Sequence, residues 1–322
     1  MVDIVINKTN TKMKFIKLIK KYGLSGAIKY SIKQYLGINK QQEAIDSVYF
    51  YLNTYLLDAR TIPPTSDENL RIMQQCDVAL LKILDRIFKK HKMTYWLDFG
   101  TLLGGHRHKG FIPWDDDLDI SMPREDYDKL LDVLNEELDK SVFDIVMHNG
   151  SIGIGYMHLK TGIWCDIFPV DTYKTAESFE TAIPLLKTKI AKYVKFYQKN
   201  KNLPYNEMQQ NRQRIINDEK AEKCYEIIYH SREFPHNHPN AFYFKEDIYP
   251  IVNIEFEGFE FAAPANLHTY LKNIYGKNYM SLPKGGILHH DEGRGPLSTW
   301  AQRNQIDMQQ VESYLNDFAK QI

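Results

Sequence analysis

The spacing of apolar positions predicts an amphipathic helix early in the chain. Apolar residues recur at intervals of three and four between positions 70 and 88, as expected for a helix with one buried face. Pro63 and Pro64 would break a helix before this segment, and Thr65 or Ser66 is the expected N-cap. This apolar stripe predicts that the helix packs against a hydrophobic core.

Short apolar runs bounded by turn signals predict strands after this helix. Residues 93–97 form one such run, and residues 163–168 form another. Residues 143–147 and 155–159 flank an Asn-Gly step, which is typical of a turn between strands. Residues 248–261 predict two more strands joined by a Glu-Gly turn.

Helical segments separate these strands. A helix is predicted from about Arg124, and the helix after Pro264 would end at Gly276, a residue suited to a C-cap. Residues 172–245 predict a helical insertion with helices at 176–197 and 209–230. This insertion could recognise an acceptor molecule or could be a structural layer. The pattern as a whole predicts an α+β (mixed α/β) fold, a mixed sheet flanked by helices with extra helical segments.

Composition limits the classes of function. The chain has 322 residues, of which 43% are hydrophobic, enough to bury a full core. Lys plus Arg equals Asp plus Glu at 41 each, so overall charge gives no indication of a nucleic-acid partner. Three cysteines are too few for a disulfide framework. No apolar stretch is long enough for a transmembrane helix, and the first ten residues lack a signal-peptide pattern. We expect a cytoplasmic protein.

The N-terminal segment, residues 1–62, differs from the rest of the chain. Residues 8–40 contain nine lysines and no acidic residue, with apolar residues between them at roughly helical spacing. Such a segment could lie on the inner face of the cytoplasmic membrane, because basic amphipathic helices bind anionic lipid surfaces. It could equally pack on the following domain, residues 63–322, with its lysines in water.

The strongest chemical signal is a run of four carboxylates within five residues, Asp115, Asp116, Asp117 and Asp119. In a strand, residues two apart project to the same face, so Asp117 and Asp119 would point together. Neighbouring carboxylates repel unless a cation lies between them. Oxygen ligands suit Mg²⁺ or Mn²⁺. The alternative is an acidic surface turn, although the run is embedded among apolar residues.

Small and basic residues precede the carboxylates. A Gly-Thr step at Gly100-Thr101 and an expected turn at Gly104-Gly105 come first. A basic cluster follows, which would supply counter-charges for phosphate groups: His106, Arg107, His108 and Lys109.

Residues 97–120, Leu-Asp-Phe-Gly-Thr-Leu-Leu-Gly-Gly-His-Arg-His-Lys-Gly-Phe-Ile-Pro-Trp-Asp-Asp-Asp-Leu-Asp-Ile, resemble the signature of the LicD family. A Tyr-Leu-x-x-x-Tyr-Gly-x-x-Tyr-Met-x-x-Pro segment at residues 270–283 resembles the family's closing segment. The family belongs to the nucleotidyltransferase superfamily and includes bacterial phosphocholine transferases and the fukutin-related proteins. The resemblance implies a nucleotidyltransferase-like sheet and transfer of a substituted phosphate from a CDP-linked donor to a sugar hydroxyl.

The resemblance also implies roles for the carboxylates. Asp117 and Asp119 would hold Mg²⁺ or Mn²⁺ on the donor diphosphate. Asp166, on a predominantly apolar strand, matches the third carboxylate of the superfamily pattern and would be a metal ligand or the general base. Asp115 would orient the ligands, while Asp116 would point elsewhere.

The remaining candidate residues would contact phosphate. Arg107 and Lys109 would stabilise negative oxygens, and Gly100 and Thr101 would let the backbone approach a phosphate. Arg124 could pair with one of the carboxylates or reach the donor phosphate.

The expected donor is CDP-choline, with CDP-ribitol or CDP-glycerol as alternatives. The expected acceptor is a sugar of a cell-surface glycan, free or lipid-linked. A true nucleotidyltransferase that releases pyrophosphate and a non-catalytic scaffold are rival hypotheses. We expect Asp171 to cap a turn and His289-His290 to lie in a loop without a site role.

Overall fold

The computed structural model describes residues 59–148, 151–156, 163–217, 225–230, 242–282 and 307–322. The expectations for the basic segment at 8–40, and those for His289-His290, lie outside these residues. None of the helices within the described ranges is long and apolar enough to cross a bilayer.

A short 3-10 helix, Ala59–Thr61, precedes the α-helices of the described part of the chain. These are α1 (Glu68–Lys90), α2 (Phe99–His108), α3 (Arg124–Glu137), α4 (Phe179–Lys199), α5 (Tyr205–Ile216), α6 (Lys245–Ile248), α7 (Leu267–Tyr275) and α8 (Met308–Gln321). The strands are β1 (Trp96–Leu97), β2 (Leu118–Pro123), β3 (Phe143–His148), β4 (Ser151–Tyr156), β5 (Trp164–Thr175), β6 (Tyr225–His230), β7 (Phe242–Phe244), β8 (Val252–Phe256) and β9 (Phe259–Ala263).

Strand β5 is the centre of a seven-stranded mixed sheet. Its first half pairs with β2 in parallel and with β4 antiparallel, and its second half, residues 170–175, pairs antiparallel with β6. β1 continues the sheet beyond β2, β3 beyond β4 and β7 beyond β6. β8 and β9 form a separate hairpin. The sheet and its flanking helices confirm the predicted α+β fold.

Helix α1 supplies one wall of the main core. Its N-cap is Asp67, whose side chain accepts hydrogen bonds from the N–H groups of Asn69 and Leu70, and not Thr65 or Ser66. The predicted apolar stripe is buried, and the C-terminal helix α8 packs against α1, where Lys82 donates to Asn316 at 2.8 Å. Helices α4 and α5 bury a second cluster against β6, which includes Leu186, Met208 and Ile227.

Two sequence-based expectations about local structure are wrong. The glycine-rich stretch after Asp98 is not a turn but helix α2, capped by Asp98. Gly104 permits this helix to lie against the following loop, because a Cβ there would meet the Gly110 carbonyl oxygen at 2.5 Å. The helix predicted at 209–230 ends at Ile216, and residues 225–230 are strand β6. Its aromatic and β-branched residues favour a strand, and its second half is buried.

Candidate active site

Two carboxylates lie opposite each other on neighbouring parallel strands. Asp119 of β2 pairs in register with Asp166 of β5, so their side chains share one face of the sheet. Burial raises the pKa of Asp119 well above its usual value, and repulsion from Asp117, Asp166 and Asp115 raises it further. Asp117, Asp119 and Asp166 thus lie close enough for the charges of Asp117 and Asp166 to act on Asp119.

The loop before β2 adds a compact carboxylate group. Asp115, Asp116 and Asp117 each offer one carboxylate oxygen, and these oxygens lie within 4.8 Å of one another. The expectation that Asp116 points elsewhere is therefore wrong, since the loop does not follow the alternation of a strand. The Oδ2 atom of Asp115 is buried without a hydrogen-bond partner, and burial, with repulsion from Asp117, raises the pKa of this carboxyl.

The first turn of α2 holds the backbone of Asp119. The N–H of Asp98 donates to the Asp119 carbonyl oxygen at 2.9 Å, and the Asp119 N–H donates to Thr101 Oγ1 at 2.8 Å. Thr101 is only 1% exposed. The hydroxyl of Thr101 thus contacts the backbone of β2. Its contact with a phosphate stays a prediction.

Gly100 lies against Asp115. A Cβ at Gly100 would meet Asp115 Oδ2 at 2.7 Å, closer than such atoms approach in real structures. The glycine therefore lets the carboxylate lie beside the N-terminus of α2, where the helix dipole favours negative charge. This contact gives a physical reason for glycine at this position.

The basic residues at the end of α2 divide into buried and exposed ones. Arg107 is buried, its Nη1 donates to the Tyr279 carbonyl oxygen at 3.3 Å, and its charge lowers the pKa of Asp115 against the effect of burial. Burial and the Arg107 charge lower the pKa of His108 to about 4. Lys109 is exposed and ends the helix in a left-handed conformation with φ of 63°. Arg107 is thus near the carboxylates.

Arg124 is engaged elsewhere. Its Nε donates to Asp171 Oδ1 at 3.0 Å, and Arg212 of α5 contacts the same oxygen at 2.5 Å. Asp171 therefore joins two buried guanidinium groups, and the expectation that it caps a turn is wrong. Arg124 follows β2 five residues after Asp119, roughly 16 Å along an extended chain.

A polar cavity of about 820 Å³ lies beside this ion-pair network. The insertion lines much of it, through residues such as Lys174, Arg212 and Glu226. Lys174 pairs with Glu226 at 3.1 Å, so these charges are already partly matched. The role of the insertion in acceptor recognition stays a prediction.

Two residues near the carboxylates were missed from the sequence. Asp77 of α1 is fully buried and accepts a hydrogen bond from the Trp164 N–H at 3.3 Å, while Trp164 Nε1 donates to Asp166 Oδ1 at 3.0 Å. Tyr275 at the end of α7 keeps 38% of its surface exposed, yet burial of its hydroxyl and the charge of Asp119 raise the pKa of that hydroxyl. An acidic residue within the apolar stripe of α1 was a signal that could have identified Asp77.

The donor set fits a hard divalent cation. The converging groups are carboxylates, and oxygen ligands are those that Mg²⁺ and Mn²⁺ prefer. Two buried carboxylate oxygens, Asp115 Oδ2 and Asp77 Oδ2, have no hydrogen-bond partner. Mutual repulsion in such a group is relieved when a cation binds between its members. The assignment of particular residues as metal ligands stays a prediction.

The sequence of this chain is similar to a known family of domains and, over short segments, to known transferases. Residues 92–220 match the family model of the LicD/FKTN/FKRP nucleotidyltransferase domain. A 68-residue segment is 43% identical to the lipopolysaccharide cholinephosphotransferase LicD of Haemophilus influenzae, covering 21% of this chain and 26% of that protein. A 94-residue segment is 32% identical to the human ribitol 5-phosphate transferase FKRP, covering 29% of this chain and 18% of that protein.

A further similarity, 46% identity over 55 residues, links the chain to an uncharacterised protein of Rickettsia prowazekii, covering 17% of this chain and 21% of that protein. The chain thus matches about a quarter or less of the length of each of these relatives. The family-model match contains α2, β2 and β5, the elements that carry the candidate ligands. Residues 92–220 thus match the LicD/FKTN/FKRP nucleotidyltransferase domain, which supports membership of the LicD family.

Proposed function

We propose that this domain is a metal-dependent transferase that moves a substituted phosphate from a CDP-linked alcohol to a sugar hydroxyl, releasing CMP. The observation that carries the proposal is the in-register pairing of Asp119 with Asp166, close enough to Asp117 for its charge to act on Asp119. Phosphoryl transfer requires positioning and neutralisation of charge more than covalent chemistry, and this arrangement supplies both.

The carboxylates would hold Mg²⁺ or Mn²⁺, which would neutralise charge on the donor diphosphate. Asp117 and Asp119 are the proposed ligands from β2 and its preceding residue. Asp166 would complete the site and accept the proton of the acceptor hydroxyl. The indole N–H of Trp164 donates to Asp166 Oδ1 and so helps to fix the carboxylate that is proposed to accept this proton.

The residues proposed to bind the donor lie at the C-terminal end of α2, where the basic residues are. Arg107, buried close enough for its charge to act on Asp115, would stabilise the negative oxygens of the donor. Lys109 is exposed and would reach the donor only from the rim of the site. Gly100 lets Asp115 lie against the first turn of α2, and we propose that it also lets the backbone there approach a phosphate.

CDP-choline is the first-choice donor, supported by the similarity to the cholinephosphotransferase of H. influenzae. CDP-ribitol is the second, supported by the similarity to human FKRP, and CDP-glycerol is the third. We propose a glycan acceptor at the cell surface or its lipid-linked precursor, as in lipopolysaccharide, capsule or teichoic acid synthesis. The proposed location is the cytoplasm or the inner face of its membrane.

The test is a thermal-shift screen with Mg²⁺ against CDP-choline, CDP-ribitol, CDP-glycerol, CTP and CMP, followed by an assay for CMP release. A ligand that binds only the folded state raises the melting temperature by mass action. Metal-dependent stabilisation by one CDP-alcohol, with CMP formed in the presence of a glycan acceptor, is the expected result. Stabilisation by CTP alone, with pyrophosphate release, would replace the proposal with a nucleotidyltransferase. No shift with any ligand would favour a non-catalytic scaffold.

A further inference from the structure

A buried carboxylate on α1 borders the candidate metal centre from outside the family-matched segment. Asp77 precedes the matched residues 92–220, and none of its surface is exposed. Its Oδ1 accepts a hydrogen bond from the Trp164 N–H, but its Oδ2 is buried and has no hydrogen-bond partner among the residues that the structure describes. An unsatisfied buried carboxylate oxygen costs free energy, which calls for a compensating interaction.

The surroundings of Asp77 indicate what it faces. Burial raises the pKa of Asp77 well above its usual value, and repulsion from Asp117 contributes more than repulsion from Asp116 or Asp115. The hydrogen bond from the Trp164 N–H lowers the pKa of Asp77. Asp77 therefore lies close enough to Asp115, Asp116 and Asp117 for their charges to act on it.

A second link runs from Asp77 to Asp166. Asp77 holds the backbone of Trp164, and the indole of Trp164 donates to Asp166 Oδ1 at 3.0 Å. Trp164 is the first residue of β5, two positions before Asp166. Asp77 thus fixes the residue that orients a predicted ligand.

We propose that Asp77 is a positioning carboxylate of the metal centre. Its Oδ1 fixes Trp164 and thereby Asp166, while its Oδ2 accepts a hydrogen bond from a water molecule of the bound cation. Mg²⁺ usually keeps several of its waters in protein sites, and these waters need acceptors. The inference rests on the proposed metal-dependent function.

The test compares Asp77→Asn with Asp85→Asn, a matched control on the same helix. Asp85 is also largely buried, but it accepts from the Tyr95 hydroxyl and pairs with Lys89. Mn²⁺ affinity is measured by electron paramagnetic resonance, with and without CDP-choline, and the melting temperature is measured without metal. Asn keeps an acceptor for the Trp164 N–H and removes the charge.

Asp77→Asn is expected to weaken Mn²⁺ binding by about 10- to 100-fold, as substitutions of residues that orient metal ligands do, without lowering the metal-free melting temperature. Asp85→Asn is expected to lower that temperature and leave Mn²⁺ affinity unchanged. A purely structural Asp77 would give the reverse pattern for Asp77→Asn, which would overturn the proposal.

Failure of the proposed function has a different signature. If the wild-type protein binds no Mn²⁺ with or without CDP-choline, both the metal-dependent function and the role of Asp77 are wrong. If the wild type binds Mn²⁺ and Asp77→Asn binds it equally well, only the role of Asp77 is wrong. Should Asp77→Asn fail to fold, Trp164→Phe removes the indole contact with Asp166 through which Asp77 is proposed to act. Unchanged Mn²⁺ affinity in that variant would overturn the proposal.

Discussion

Asp119 and Asp166 occupy directly paired positions on two parallel strands, which places their side chains on one face of the sheet. The two residues are 47 positions apart in the chain, yet the register of β2 and β5 makes them neighbours. Burial and the charges of Asp117 and Asp166 raise the pKa of Asp119 in the absence of metal. A site that is electrostatically unfavourable without a cation is suited to bind one.

Replacing either paired carboxylate by its amide should abolish activity without unfolding the protein. Loss of a residue that only orients a metal ligand typically reduces activity by about 10- to 100-fold. Asp119→Asn or Asp166→Asn is expected to reduce CMP release by more than this. Asp119→Asn should also raise the metal-free melting temperature, because it removes a repulsive buried charge. Steady-state kinetics and thermal unfolding check both effects. Near-normal turnover in either variant would contradict the metal assignment.

The same repulsion predicts how metal-free stability depends on pH. The folded-state pKa of Asp119 is raised above its ordinary value of 3.8, so the native state binds more protons than the unfolded state above that pH. The free energy of unfolding contributed by Asp119 is therefore fully present below 3.8 and is lost as pH rises through the raised folded pKa. Saturating Mg²⁺ should remove this loss.

The half-buried side chain of His108 changes the free energy of unfolding in the opposite direction. Burial and Arg107 lower the pKa of His108 to about 4 from an ordinary 6.5, so its contribution to stability rises with pH over that interval. The informative quantity is thus the difference in unfolding free energy between Asp119→Asn and wild type. This difference should grow as pH rises without metal. A difference that is constant with pH would show that Asp119 is not perturbed.

The sequence was sufficient to predict the strands that carry the ligands but not every residue around them. Asp119 lies on β2 as expected, but Asp117 lies in the loop before it, so strand alternation does not describe the pair. The family resemblance identified Asp166. The sequence favours a turn at the glycines of α2, but they lie in a helix. Their reason is close contact with another segment, as between Gly100 and Asp115, and such a contact is not visible in the local sequence.

Contacts between residues distant in sequence account for the other differences between the sequence-based predictions and the structure. Arg124 pairs with Asp171, 47 residues away, and no local pattern predicts that choice. Strand β6 was predicted as part of a helix, since its pairing with β5 depends on a partner distant in sequence. Asp77 and Tyr275 join the site only through helix packing, from elements on either side of the family-matched segment.

The hydroxyl of Thr101 should matter for stability and for turnover. Thr101→Val leaves the Asp119 N–H without its acceptor, and an unsatisfied buried donor costs about 1–3 kcal/mol. We expect a lower free energy of unfolding and a lower kcat, because the backbone of a ligand residue is released. Thr101→Ser keeps the hydroxyl and is the control. Equal behaviour of the Val and Ser variants in denaturant unfolding and kinetics would contradict this role.

The ion-pair network around Asp171 should stabilise the fold rather than bind the donor. Asp171→Asn leaves Arg124 and Arg212 buried without their shared counter-charge, which typically costs about 3–5 kcal/mol. Glu226→Gln, which breaks the more exposed pairs with Lys174 and Lys245, should cost at most about 1 kcal/mol for each. Denaturant unfolding measures both costs. A raised KM for CDP-choline in a folded Arg124→Lys variant would instead support the contact between Arg124 and the donor phosphate.

The contact between Gly100 and Asp115 can be tested with two glycines of one helix. A Cβ at Gly100 would meet Asp115 Oδ2 at 2.7 Å, whereas a Cβ at Gly105 would meet its nearest atom, in Phe256, at 3.4 Å. Both Gly→Ala changes favour the helical state by about 0.5–1 kcal/mol. They differ in that Gly100→Ala must displace the end of the Asp115 side chain.

Gly100→Ala should therefore fold but bind Mn²⁺ about 10- to 100-fold more weakly and lose activity in proportion, as when a group that orients metal ligands moves. Gly105→Ala should keep wild-type Mn²⁺ affinity and melt at an equal or higher temperature. Electron paramagnetic resonance titration and thermal unfolding of the two variants separate these effects. Equal Mn²⁺ affinity in both variants would mean that Asp115 can move without consequence and does not orient the metal ligands.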